Sequence, residues 1–122
     1  MHARIYFKMD HWTQKLSAVD KNTHTSIKTY LSLINNEYEG FEQAILFGSY
    51  ALNKQRKESD IDIAIIFSEM TDDEKFDIQV QLMLLASKVD NRIEPHPLST
   101  IDYASDSPFV REIKKNGVVL KM

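Results

Sequence analysis

Two aspartates two residues apart, Asp60 and Asp62, stand at the head of an isoleucine-rich run, Ser59-Asp60-Ile61-Asp62-Ile63-Ala64-Ile65-Ile66. Aspartate is depleted in strands, so a pair of them opening an apolar strand asks for a chemical reason. On a strand, residues two apart share a face, with Cα atoms about 6.5 Å apart at a rise of about 3.3 Å per residue. Ile61, Ile63 and Ile65 then point the other way, into a core. Two carboxylates aimed at one point repel, and one of them tends to protonate. A divalent cation removes that conflict, and Mg²⁺ is typically held by one or two carboxylates together with substrate phosphates. Two such ions about 4 Å apart clamp the attacking and leaving oxygens of an in-line phosphoryl displacement. An isolated D-x-D reads better as the solvated face of an ordinary strand. The upstream Phe47-Gly48-Ser49 changes the balance. Gly48 ends an apolar run and lets a phosphate approach the backbone, and Ser49 adds a hydroxyl donor at the start of the next segment. This is not a P-loop, because no G-x-x-x-x-G-K-[ST] occurs in the chain.

The elements that must hold these residues are legible at low resolution. Ile27, Tyr30, Leu31, Ile34 and Tyr38 fall on one stripe of an amphipathic helix over about 20–38, and Gly40 stands where a C-terminal glycine cap belongs. Ala44-Ile45-Leu46-Phe47 reads as a buried strand, a polar stretch over 53–59 follows, and a second strand runs over 60–67. Thr71 with Asp72, Asp73 and Glu74 is a capping box, and Phe76, Val80, Met83 and Leu84 carry that helix to about Lys88. Arg92-Ile93-Glu94 predicts a third strand, cut short by Pro95 and Pro97 and therefore at an edge or a strand end. The last helix spans 107–116, with Pro108 at its first position and Gly117 closing it, and Val118-Val119-Leu120 adds a terminal strand. Residues 4–9 read as a short strand and 12–16 as a helix start. Helices alternating with strands predict an α/β sandwich with a mixed sheet of about three to five strands.

The run G-S-Y-A-x-x-x-x-R-x-x-S-D-I-D-I-A-I, with its core G-S-x10-D-x-D, resembles the signature of the DNA polymerase β-like nucleotidyltransferase superfamily, and within it the minimal nucleotidyltransferase branch. The resemblance covers about 41–97. It implies the polymerase β-like nucleotidyltransferase fold, with Asp60 and Asp62 as catalytic residues and ligands of two Mg²⁺ ions, and with Gly48, Ser49, Arg56 and Ser59 at the nucleotide. It also implies a third carboxylate on a neighbouring strand. Glu94 is preferred because it lies inside the predicted strand, opposite Ile93; its rival Asp90 sits at a turn where Asp is a common loop residue. Many members carry Arg-Gly after the alanine, where this chain has Leu52-Asn53, which leaves the loop one cationic group poorer. Lys54 and Lys57 read as a solvated loop. The branch implies ATP as donor of AMP, a HEPN-type toxin as partner, with a tyrosine hydroxyl as acceptor, and an antitoxin role. A small-molecule nucleotidyltransferase of the antibiotic-modifying type, built as a dimer, and a non-catalytic binding antitoxin are the alternatives.

Composition bounds the rest. One hundred and twenty-two residues, 43% apolar and 27% charged, predict one nucleotidyltransferase domain over 1–122 with a single core. A net charge of -3 argues against a broad nucleic-acid surface. The absence of cysteine excludes disulfides, thiolate zinc sites and cysteine nucleophiles. The longest apolar run, 63–67, is far short of a membrane span, and the first eight residues hold no apolar signal region, so a soluble cytoplasmic protein is expected. His2, His11, His24 and His96 show no metal-ligand spacing; His96 lies beside the site but reads better as structural. The R-x6-H of Arg4 and His11 is read as coincidence, and Trp12 and Phe109 as core or interface aromatics. A homo-oligomer is compatible with all of this.

Overall fold

The computed structural model describes residues 15, 16 and 18–121, so the strand expected over 4–9 and most of the helix start over 12–16 lie outside the described residues. In chain order the elements are α1 (Lys21–Glu37), β1 (Phe41–Phe47), β2 (Ile61–Phe67), α2 (Asp72–Ser87), β3 (Ile93–Ser99), α3 (Thr100–Tyr103), α4 (Pro108–Asn116) and β4 (Val118–Lys121). The four strands form one sheet in the order β3-β2-β1-β4. β1 is antiparallel to both β2 and β4, and β2 is parallel to β3, so the sheet is mixed as expected.

Both faces of the central strands are covered, which is why β2 reads as a nearly continuous apolar run. Leu46, Ile61, Ile63 and Ile65 pack with Ile27, Leu31 and Ile34 of α1 and with Leu82 and Leu85 of α2. Ile45, Phe47, Ala64, Ile66 and Leu98 form the opposite layer with Ile113 of α4. Asp62 belongs to this second layer, so its neighbours along the strand are core residues and it is no part of a solvated stripe.

α1 starts at Asp20, whose carboxylate accepts from the Thr23 N–H at 2.7 Å. The Tyr30 hydroxyl donates to Leu82 O at 2.9 Å and ties α1 to α2; burial pushes that phenol far above its usual range. The expected glycine cap at Gly40 is not used. The helix closes at Tyr38, which is extended at φ -123°, its N–H donating to Ile34 O. Tertiary contacts hold the turn instead, with the Tyr38 ring edge-on to Phe67 at 5.4 Å and its hydroxyl donating to Gln81 at 2.9 Å.

β3 is an edge strand as predicted, but it runs through both prolines rather than stopping at them. Ile61 N–H donates to Arg92 O, which sets a register in which even-numbered peptide groups of β3 face β2. The nitrogens of Pro95 and Pro97 therefore fall on the free edge, where no partner strand needs an N–H. Gln79 of α2 covers that edge by donating to Pro95 O at 2.9 Å.

The capping box of α2 is present, with Thr71 and Glu74 bonding reciprocally. Its orientation is not the one suggested by the most regular apolar stripe. Leu82, Leu85 and Ala86 face the core, whereas Phe76, Val80, Met83 and Leu84 are 74%, 40%, 47% and 61% exposed. The helix is apolar on two sides, and periodicity alone did not choose between them. α4 begins with Ser107 as cap and Pro108 in the first turn. Gly117 closes it with φ -74°, in extended backbone. Glycine is required there by space: an added Cβ would lie 2.4 Å from Ile113 O and 2.5 Å from Ile45 Cγ2. The short α3 was not anticipated, although its Ser99-x-x-Asp102 capping box is written in the sequence. Among the described residues no helix is long and apolar enough to cross a membrane.

Candidate active site

Sheet register assembles the acidic centre. Asp62 stands between Phe47 of β1 and Glu94 of β3 as their direct register partners, and residues paired this way point to the same face. Asp60 is one residue ahead of β2 rather than inside it, and it is exposed. His96, next on the same face of β3, places Nε2 3.1 Å from Asp62 Oδ1. Its ring is edge-on to Phe47 at 4.9 Å and tilted against Phe109 at 5.9 Å, so His96 is packed as a side chain that orients Asp62.

Gly48 is needed twice. Its φ of +76° lies in the left-handed region that favours glycine, and an added Cβ would sit 2.5 Å from Asp62 Oδ2. Any side chain at 48 displaces the carboxylate. The following loop turns on itself: Ala51 N–H donates to Gly48 O at 3.1 Å, and Lys54 N–H to Ser49 O at 2.9 Å. Asn53 sits at φ 56°, a conformation asparagine tolerates better than most residues. Asn53 thus occupies a left-handed position of the kind that favours glycine, and Leu52 beside it brings no charge to the loop. Ser59 closes the loop ahead of Asp60, its hydroxyl accepting from Arg56 N–H at 2.8 Å. Arg56 is exposed and lines a cavity of about 480 Å³ with Asp20, Tyr50, Gln55, Lys57 and Arg92.

One positioning device was missed from the sequence. Arg92 Nη1 donates to the hydroxyl of buried Tyr50, in the glycine–serine loop, at 2.9 Å. Its Nη2 donates to Thr23 Oγ1 of α1 at 3.1 Å and to Asp90 Oδ2 at 2.8 Å. The arginine thereby fastens the loop to α1 and to the turn before β3. No spacing rule links Tyr50 to Arg92, so only the fold reveals the contact.

Asp90, the rival third carboxylate, is consumed by this network. The Arg92 side chain hydrogen-bonded to it holds its carboxyl at about 2, against an ordinary 3.8. A depressed pKa stabilises the fold above the unfolded value and the contribution is lost as pH falls through the folded one. Asp90→Asn should therefore cost about 1–2 kcal/mol at neutral pH, the scale of a charged hydrogen bond with partial exposure. The difference from wild type should shrink between about pH 4 and pH 2. Thermal melts of both proteins across that window are the measurement, and a pH-independent difference would contradict the assignment.

Among the described residues, no group of three or more His, Cys, Asp or Glu side chains is gathered closely enough to hold a metal. Asp60, Asp62 and Glu94 are thus not a closed three-ligand cage. As a donor set they still fit Mg²⁺, because all three are hard carboxylate oxygens, and this ion takes one or two carboxylates and leaves other positions to water and phosphate.

The chain belongs to the polymerase β nucleotidyltransferase family, whose description, Polymerase beta, Nucleotidyltransferase, matches residues 26–122. It is a nucleotidyltransferase with the minimal G-S-x10-D-x-D core on a four-stranded mixed sheet. Over 73 residues it is 36% identical to a protein of Methanocaldococcus jannaschii described as a candidate protein adenylyltransferase, covering 59% of this chain and 72% of that one. A chain in the crystal structure of a toxin–antitoxin with AMP-PNP superposes with a TM-score of 0.53 at 20% identity, covering 79% of this chain and 70% of that one. A chain in the complex of a tri-AMPylated Shewanella oneidensis HEPN toxin with its MNT antitoxin gives a TM-score of 0.53 at 17% identity, covering 80% and 70%. At these identities the structural likeness speaks for the fold.

Proposed function

We propose that this chain acts as one catalytic domain that transfers AMP from ATP to a protein hydroxyl, most specifically a tyrosine of a HEPN-type toxin, and so works as an antitoxin. The observation that carries the reading is the register that sets Glu94 beside Asp62, with Gly48 Cα against the Asp62 carboxylate. Support comes from the adenylyltransferase description of the Methanocaldococcus relative and from the AMPylated toxin bound to the Shewanella antitoxin.

In this reading Gly48 and Ser49 receive the β- and γ-phosphates, where the glycine leaves the backbone open to an anion and the serine supplies a donor. Asp60, Asp62 and Glu94 would hold Mg²⁺, which when bound neutralises charge on the phosphates and the departing pyrophosphate. The acceptor oxygen bonds to the α-phosphorus, the bond to the pyrophosphate oxygen breaks, and Glu94 takes the acceptor's proton. His96 keeps Asp62 in one orientation, and Arg92 keeps the phosphate loop in place through Tyr50. Positioning and electrostatics carry such a reaction, and no covalent enzyme intermediate is needed.

The test is incubation of the chain with ATP, Mg²⁺ and a HEPN-type toxin, followed by mass spectrometry of the toxin. The expected product is AMP on tyrosine, absent without Mg²⁺ and absent when that tyrosine is phenylalanine. Tight binding of the toxin with no AMP transferred would favour neutralisation by contact, and transfer to a small hydroxyl compound alone would favour the antibiotic-modifying type.

A further inference from the structure

We propose that the outer face of α2 joins two copies of this chain, antiparallel, about a two-fold axis at Val80. The inference is independent of the acceptor. It starts from an anomaly: α2 buries Leu82, Leu85 and Ala86, yet its opposite side carries four large apolar side chains, from Val80 at 40% to Phe76 at 74% exposed. Phe76, Val80, Met83 and Leu84 follow one another at helical spacing, so they form a continuous stripe rather than scattered exposed residues.

The stripe is self-complementary. A two-fold axis at Val80 brings Val80 against its own copy, Phe76 against Leu84, the flanking Asp77 beside Met83, and the acidic first turn at Asp72 against Lys88 of the other helix. Antiparallel packing also keeps the two acidic first turns, Asp72, Asp73 and Glu74, at opposite ends of a contact about 24 Å long. A parallel pair would set them side by side. The helix dipoles oppose in the same arrangement, which favours it. α2 lies on the sheet face opposite Asp62, so both acidic centres of the dimer stay open. A specific interface buries about 1,000 Å² or more in total, so a contact through one helix pair belongs to the weak, reversible end.

Sedimentation equilibrium of the purified chain, without nucleotide or partner, tests this directly. A reversible dimer at about 100 µM is expected, with Val80→Glu weakening it at least about tenfold because two carboxylates meet on the axis. Should Val80→Glu fail to fold, the exposed pair decides: Lys88→Asp should weaken the dimer and Asp72→Lys with Lys88→Asp should restore it. A monomer at 100 µM, or a dimer indifferent to both Val80→Glu and Lys88→Asp, overturns the proposal. So does a wild-type monomer whose stripe is needed only for binding a toxin.

Discussion

Replacing Asp60 and Asp62 together with alanine is expected to lower nucleotidyl transfer at least about a thousandfold, a loss of about 4 kcal/mol of transition-state stabilisation. Nothing else in the described site can supply the charge that a metal–triphosphate complex requires, since Glu94 is a single carboxylate and Asp90 is committed to Arg92. The fold should survive. Asp60 is exposed and ahead of the strand, and the Asp62 side chain is 24% exposed and, among the described residues, paired with His96. Loss of that partner and relief of carboxylate repulsion oppose each other, so the melting temperature should move by no more than a few degrees. Transfer of labelled AMP, read beside a thermal melt, is the check. Near-normal transfer would remove both aspartates from the metal site, and a collapse in melting temperature would assign them to structure.

The second large effect is expected at Glu94. Glutamine keeps the shape and reach of the side chain but removes the charge that a cation and a departing proton both need, so turnover should fall at least about a hundredfold. Nucleotide binding should suffer less, because Asp60 and Asp62 remain. Asp90→Asn serves as the contrast: it should lose stability while keeping turnover, since its carboxylate accepts from Arg92, the side chain that donates to Tyr50 and Thr23 behind the loop. The assignment fails if Asp90→Asn is the inactive variant and Glu94→Gln works normally. If both turn over normally, two carboxylates suffice.

The sequence by itself determined a good deal. The alternation of helical and strand patterns implied the mixed sheet, and caps at Thr71 and Pro108 marked two helices because capping chemistry is local. Gly48-Ser49 and Asp60-x-Asp62 were legible because their chemistry depends on residues close in the chain. Local signals also misled where a longer-range contact could replace them. Gly40 is no cap because Tyr38 is anchored on Phe67 and Gln81, and Pro95 and Pro97 do not end β3 because their nitrogens face a free edge. Tertiary structure alone decided three further things. Register put Glu94 beside Asp62, packing turned α2 so that Leu82 rather than Phe76 meets the core, and folding brought Arg92 to Tyr50. Each is a contact between distant parts of the chain, where the energy lies in the shared burial and pairing of both partners, and a pattern read along one segment carries only half of it.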